Sequence, residues 1–92
     1  PMKFEYKNRH KYDFRQFMMR IETYAEGTGM SHDKVAMMHL ARSYLHQDEV
    51  DWEHAWYIDQ KRAYGRELTY SEWCAEISKA RYIPVAALPA VN

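Results

Sequence analysis

The stretch that decides the fold is Asp13-Phe-Arg-Gln-Phe-Met-Met-Arg-Ile-Glu-Thr-Tyr24, near the start of this 92-residue chain. Its apolar side chains recur three and four residues apart, which is typical of an α-helix with one buried face. Asp13 is a favourable N-cap, and Gly27 and Gly29 stop the pattern, so the first helix is predicted from Asp13 to about Gly27. The predicted apolar stripe consists of Phe14, Phe17, Met18, Ile21, Tyr24 and Ala25.

Two helices are predicted in the middle of the chain. Ser31 is the expected N-cap of helix two, which ends around Gln47. Its wide apolar face consists of Met37, Met38, Leu40, Ala41, Tyr44 and Leu45. Helix three begins near Asp48 or Asp51 and ends at Gly65. One side of helix three carries Trp52, Ala55, Trp56 and Ala63.

Helix three does not have a clean apolar face. Asp59 lies in the middle of the tryptophan side, so either the helix bends there or Asp59 pairs with a basic neighbour such as Arg62. Tyr57 and Ile58 point elsewhere, which leaves room for partners on two sides of this helix. Both residues are therefore candidates for a protein interface.

The last helix is predicted from a capping box, Thr69-Tyr-Ser-Glu72, placed directly before an apolar run. Its inner face consists of Tyr70, Trp73, Cys74, Ile77 and Ala80. Four helices joined by short turns predict an all-α fold, a compact four- to five-helix bundle.

The two ends of the chain differ from the helical part. Residues 1–11 are predicted to form a short extended arm, in which Phe4 and Tyr6 fall on one side. Residues 12–82 form the helical lobe, and residues 83–92 contain two prolines that favour an extended tail. This tail is either a linker or a clip that docks on a groove.

Composition excludes several classes of protein. The 13 Lys and Arg residues balance 13 Asp and Glu residues, whereas a free-standing nucleic-acid binder usually carries a basic excess. A single Cys rules out an internal disulfide framework. The sequence has no apolar run of about 18 residues, so no membrane partner is predicted.

Polar residues that could carry chemistry are better explained as structure. His32, His39 and His46 recur every seven residues, about 10.5 Å apart along a helix, which is too far for two of them to share one metal ion. They predict a solvated or intersubunit face. Cys74 lies on an inner helix face and is expected to be a buried thiol. Glu49 and its acidic neighbours suit a helix N-terminus. No catalytic residue, metal or cofactor is predicted.

The order of these patterns resembles the gag capsid region of gypsy-type LTR retrotransposons and its domesticated relatives, such as neuronal Arc. The resemblance begins with the aromatic helix of residues 13–24 and continues with Ser-His-Asp-Lys-Val at 31–35. Ala-Arg-Ser-Tyr-Leu at 41–45 and the tryptophan segment 50–56 are similar to the next family motif. Leu-Thr-Tyr-Ser-Glu-Trp at 68–73 is similar to the start of the family's last helix. The chain has no zinc knuckle.

This resemblance implies that the chain is the N-terminal lobe of a two-lobe capsid protein and is not an enzyme. Such lobes associate with copies of themselves into pentamers and hexamers that form a shell, and the isolated lobe is a monomer or a dimer. RNA would be bound only by regions outside this chain. The implied location is intracellular, in the cytoplasm or within virus-like particles.

In domesticated relatives the same lobe can bind a short extended peptide in a hydrophobic groove. The resemblance therefore implies a peptide ligand as a second kind of partner, with Phe4 and Tyr6 as the arm. The remaining candidates from helices one and two, which divide between core and groove, are Phe17, Tyr24, Met38 and Tyr44. The helical pattern is also compatible with an unrelated helical adaptor and, more weakly, with a helical DNA-binding domain.

Overall fold

The computed structural model describes residues 3–8 and 13–82, and these form an all-α fold. The four helices are α1 (Phe14–Gly27), α2 (Lys34–Ser43), α3 (Gln47–Tyr64) and α4 (Tyr70–Ala80). A short 3-10 turn, Tyr6–Asn8, precedes them. The predicted fold class is therefore confirmed. The predicted tail at 83–92 and part of the predicted arm lie outside the described residues.

Two helices begin where the local sequence predicts. The Asp13 carboxylate accepts a hydrogen bond from the backbone N–H of Gln16 at 2.9 Å and caps α1. Thr69 and Glu72 form the predicted capping box, in which the Glu72 carboxylate accepts from the Thr69 N–H at 2.9 Å. These side chains satisfy N–H groups that have no partner inside the helix.

Helix α2 is shorter than predicted at both ends. Its N-cap is Asp33, whose carboxylate accepts from the Ala36 N–H at 3.0 Å, so the prediction of Ser31 is wrong. The helix ends at Ser43 rather than near Gln47, because the chain beyond it turns to pair with the N-terminal arm. Helix α3 ends as predicted at Gly65, which has the left-handed φ of 71° that glycine adopts freely.

An aromatic cluster fills the centre of the lobe, where α2 packs against both α1 and α4. The Phe14 ring lies 5.3 Å from that of Phe4 and 4.9 Å from that of Tyr82, centroid to centroid. Ring pairs at such distances add to the free energy gained by burying their area. The buried part of the predicted α1 stripe is Phe14, Phe17, Ile21 and Ala25.

The inner face of α3 differs from the prediction. Ala55 and Ala63 are exposed, whereas Glu49, Glu53 and Tyr57 are buried. Trp52 and Trp56 are half-buried at the side of the helix, where their rings stack at 5.7 Å. Asp59 pairs on the surface with Arg62 at 3.6 Å, as one of the two predicted alternatives required.

Candidate protein-interaction surface

The structure divides the predicted interface residues between the interior and the surface. Phe17 and Met38 are fully buried and belong to the core. Tyr6 and Tyr44 are partly buried against that core. The exposed candidates are Tyr24, at 41%, and Ile58, at 38%. Phe4 and Tyr57 are buried as well, for reasons that involve distant parts of the chain.

Phe4 reaches the core because the N-terminal arm pairs with the connection between α2 and α3. The Phe4 N–H donates to the Tyr44 carbonyl at 3.0 Å, and the His46 N–H donates to the Phe4 carbonyl at 2.8 Å. This is one parallel β-bridge, between Phe4 and Leu45. The bridge holds an extended segment on the lobe and places the Phe4 ring 4.6 Å from the Tyr82 ring.

Tyr57 is buried because polar partners surround its ring and its hydroxyl. The Arg42 guanidinium lies 3.7 Å from the ring centroid, and the Tyr57 hydroxyl donates to the Glu67 carboxylate. Burial and the nearby negative charge of Glu67 raise the pKa of Tyr57 well above its usual value. Tyr57 is therefore an internal contact between α3 and its neighbours and does not offer its ring to a partner.

Two buried carboxylates on α3 join the helices. Glu53 accepts hydrogen bonds from Arg42 Nε at 2.7 Å and from Trp73 Nε1 at 3.0 Å. One turn earlier, Glu49 accepts from Arg81 Nε at 3.0 Å and from the Tyr82 hydroxyl at 2.9 Å. Buried carboxylates are tolerated when they are paired and hydrogen-bonded in this way.

The helix dipole alone predicts that these acids sit at the solvated start of a helix. The structure places both acids inside the lobe instead, where Glu53 Oε2 accepts from Trp73 and Glu49 Oε1 accepts from Tyr82. The signal available in the sequence is their spacing of four residues, in phase with Tyr57 on the same helix face. Their role is to hold α2, α3 and α4 together.

Four large apolar side chains are exposed on two helices. Met19 and Tyr24 of α1 are 61% and 41% exposed, and Val50 and Ile58 of α3 are 43% and 38% exposed. The Tyr24 ring leans on the Tyr44 ring with a centroid distance of 6.2 Å. Tyr24 and Ile58 are among the interface residues predicted from the sequence. Met19 and Val50 are not, since both lie off the apolar stripes.

An open groove of about 570 Å³ runs along α1 beside these residues. The described residues that line it are Gln16, Met19, Arg20, Thr23 and Tyr24. Their spacing follows one side of the helix, and the apolar Met19 and Tyr24 stand among polar groups. Two exposed apolar side chains beside an open depression make this side of α1 a candidate contact for another protein.

Aromatic side chains from the arm and from α3 surround Arg81 at the end of α4. Arg81 places its guanidinium 4.8 Å from the Tyr6 ring and 5.1 Å from the Trp52 ring. Trp52 also lies 5.8 Å from the Tyr82 ring. The cation between two aromatic faces fastens the arm to the end of α4. This surface is held together internally by Arg81.

The three histidines of the seven-residue repeat have separate environments. His39 Nε2 lies 3.2 Å from the Glu67 carboxylate, and His32 is exposed. His46 caps α3, since its Nδ1 accepts the Asp48 N–H at 3.1 Å. Among the described residues, Glu5, His46 and Asp48 bring ligand-type atoms within 4.8 Å of one another.

The contacts of that group account for it without an ion. The backbone N–H of Asp48 already points at His46 Nδ1, which is the atom nearest the two carboxylates. Lys7 Nζ lies 2.9 Å from the Glu5 carboxylate and balances its charge. The group is therefore a cap and an ion pair where the arm meets α3.

Cys74 is a buried thiol on α4, as predicted. Burial raises its pKa to about 12, so the thiolate that would act as a nucleophile is not formed near neutral pH. The neighbouring Tyr70 hydroxyl donates its one hydrogen to the Glu22 carboxylate at 2.8 Å and also lies 3.1 Å from the Met18 carbonyl. These contacts of Tyr70 fasten α4 to α1.

No helix in the described part of the chain is both long enough and apolar enough to cross a bilayer. No protein-family model, curated protein or solved structure matches this chain. The likeness to gag capsid lobes therefore rests on the ordered residues quoted above, and the candidate function rests on the geometry of the exposed surface.

Proposed function

We propose that this chain is a structural self-assembly domain, the N-terminal lobe of a gag-type capsid protein that packs against copies of itself. Four observations support the proposal: the ordered resemblance, the all-α fold, the balanced charge and the exposed apolar side chains on α1 and α3. The last of these carries it. Met19, Tyr24, Val50 and Ile58 remain outside the hydrophobic core.

The polar groups support a role in packing rather than in catalysis. Glu49 and Glu53 each accept two hydrogen bonds at one carboxylate oxygen from Arg, Tyr or Trp donors inside the lobe, and Cys74 is buried as a thiol. The neutral balance of charges suits close contact between identical chains, since a strong field of one sign would repel them. In the proposed capsid, RNA contacts belong to other regions of the protein, and the location is the cytoplasm or a virus-like particle.

Sedimentation velocity across a range from micromolar to millimolar chain tests this proposal. The weight-average sedimentation coefficient is expected to rise with concentration, because contacts between single lobes are weak and grow by multivalency. Replacing the exposed side chains by Met19→Ser and Ile58→Ser should suppress the rise without unfolding the lobe. Ala75→Ser, on the exposed side of α4, is the matched control. A rise that the two serine substitutions leave unchanged, or no rise even at millimolar chain, where weak contacts already populate a dimer, would refute the proposal.

A second candidate function, capture of an extended peptide, is favoured by the bridge at Phe4. The lobe already holds one extended segment through two backbone hydrogen bonds and one buried aromatic ring. This is the mode in which a peptide adds to an exposed strand edge, with a pocket for a side chain. An outside peptide would have to displace the arm to use the same place.

The chain with Phe4→Ala tests peptide capture, because it keeps the backbone but empties the pocket. A fluorescent peptide with the sequence of residues 3–8 should bind this variant more tightly than it binds the wild type. The same peptide with Phe4→Ala is the control and should bind neither protein. Equal, weak binding of both peptides to both proteins would eliminate the peptide hypothesis.

A further inference from the structure

His46 stands where the arm meets the start of α3, and it contacts both. Its backbone N–H donates to the Phe4 carbonyl at 2.8 Å and so forms one half of the bridge that holds the arm. Its side chain is the N-cap of α3, because Nδ1 accepts a hydrogen bond from the Asp48 N–H at 3.1 Å. One residue therefore supports both the arm and the first turn of the helix.

The same nitrogen also lies close to two carboxylates. His46 Nδ1 is 3.7 Å from Glu5 Oε1 on the arm and 3.5 Å from Asp48 Oδ2 on α3. Lys7 Nζ, also on the arm, lies 2.9 Å from the Glu5 carboxylate and 4.0 Å from that of Asp48. Within the described part of the chain, these are the charged groups that ion-pair distances place around the ring.

The cap and an ion pair need different protonation states of Nδ1. In the neutral ring, Nδ1 accepts the Asp48 N–H with its lone pair, while the ring proton is on Nε2. In the charged ring both nitrogens carry protons, so Nδ1 can donate to a carboxylate but cannot accept an N–H. Capping α3 and pairing with a carboxylate through Nδ1 therefore exclude each other.

Burial and charge favour Glu5 as the partner of a protonated ring. The Glu5 side chain is 12% exposed and that of Asp48 is 59% exposed, and a charge pair shielded from water is screened less. Glu5 and Asp48 carry two negative charges against the single positive charge of Lys7, so one more positive charge makes the group neutral. The positive end of the α3 dipole repels a cation, which favours movement of the charged ring towards the arm.

We propose that His46 is a pH-dependent switch that caps α3 when it is neutral and holds the arm when it is protonated. Histidine ordinarily changes its charge between about pH 5 and pH 8, where Asp and Glu side chains stay ionised. On protonation Nδ1 releases the Asp48 N–H and donates to Glu5, so the arm gains an ion pair beside its bridge. The arm is then harder to displace in mild acid, whichever partner the lobe binds.

An NMR titration of the full, 15N-labelled chain from about pH 8 to about pH 5 follows both ends of the switch. Long-range 1H–15N spectra show which nitrogen of His46 carries a proton. As Nδ1 gains its proton, the Asp48 amide proton should shift upfield, because it loses its acceptor. Over the same step the hydrogen-exchange protection factor of the Phe4 amide, which bonds to Tyr44, should rise by about twofold or more, as expected for a partly exposed ion pair.

Three variants separate the two contacts. His46→Asn keeps a side-chain acceptor that suits an N-cap but does not titrate, so neither signal should change with pH. Glu5→Gln keeps the cap but removes the carboxylate, so the Asp48 amide should still shift while the protection of Phe4 stays level. His32→Asn, at an exposed histidine before α2, is the matched control and should respond as the wild type does.

Either end of the switch can overturn the proposal. An Asp48 amide proton that keeps its position while His46 gains its proton, or that shifts equally in His46→Asn, would show that Nδ1 does not release a cap. A Phe4 protection factor that stays level or falls in the wild type, or that rises equally in Glu5→Gln, would show that the arm gains no ion pair. Neither result bears on self-association, which sedimentation velocity measures separately.

Discussion

Glu53→Gln is expected to lower the free energy of unfolding markedly, although it only exchanges one carboxylate oxygen for an NH2 group. The Glu53 carboxylate is buried and accepts from Arg42 Nε at 2.7 Å and Trp73 Nε1 at 3.0 Å through the same oxygen. The amide keeps the shape but loses the charge opposite Arg42, and its NH2 group cannot accept a hydrogen bond. Weakened charge-assisted bonds of roughly 1.5–3 kcal/mol and partly unpaired donors give a loss of about 3 kcal/mol.

Such a loss is large for this chain, since domains of its size unfold with about 5–14 kcal/mol. Urea denaturation followed by circular dichroism measures the free energy of unfolding directly. Glu76→Gln, on the surface of α4, is the control and should change it by less than about 1 kcal/mol. The double variant with Arg42→Met should lose less than the sum of the single losses. A Glu53→Gln chain whose free energy of unfolding lies within about 0.5 kcal/mol of wild type, as for an ordinary surface substitution, would show that the buried carboxylate does not stabilise the lobe.

Three further outcomes are expected. Phe4→Ala should lower the free energy of unfolding by about 3 kcal/mol in urea denaturation and speed hydrogen exchange of the His46 amide. An unchanged free energy of unfolding and an unchanged exchange rate would show that the arm does not stabilise the lobe. The hydrogen bond from Arg66 lowers the pKa of Glu72 to about 2. The free energy of unfolding that wild type gains over Glu72→Gln should therefore be complete above the ordinary pKa of a Glu side chain and disappear as the pH falls towards 2. A gain that does not change with pH would contradict this. Because burial raises the pKa of Cys74 to about 12, a thiol reagent near neutral pH should label it only after urea unfolding, and fast labelling of the native chain would be evidence against its burial.

Local signals in the sequence predict the helices that begin and end on their own side chains. The cap at Asp13 and the capping box at Thr69 are satisfied within three residues, so both are readable from the local sequence. The start of α2 is harder to predict, because Ser31 and Asp33 are both good N-caps. Ser31 lies inside a turn that is closed by a 3.0 Å hydrogen bond from the Asp33 N–H to the Met30 carbonyl, so the helix begins after Asp33.

Long-range contacts account for what the sequence does not reveal. The end of α2 depends on Phe4, which pairs with Tyr44 and His46 some forty residues away. Glu53 looks like a surface acid until Arg42 and Trp73, eleven and twenty residues distant, fold around it. Periodicity describes one helix at a time and therefore cannot detect a carboxylate neutralised by other helices.

The candidate interaction surface also contains residues that the sequence predicts and residues that only the folded structure reveals. Tyr24 and Ile58 are exposed and stay interface predictions, whereas Phe4, Phe17 and Met38 belong to the core. Met19 is not predicted, because a single Met on the polar side of a helix resembles an ordinary surface residue. Its exposure beside an open depression along α1 becomes apparent only in the folded lobe.

The most direct measurement of self-assembly is an amide chemical-shift map of the labelled chain, recorded from micromolar to millimolar concentration. Association through the exposed apolar side chains predicts concentration-dependent shifts that concentrate in α1 around Met19 and Tyr24 and in α3 around Val50 and Ile58. Spectra that superimpose at all concentrations, or shifts confined to other elements, would contradict the account.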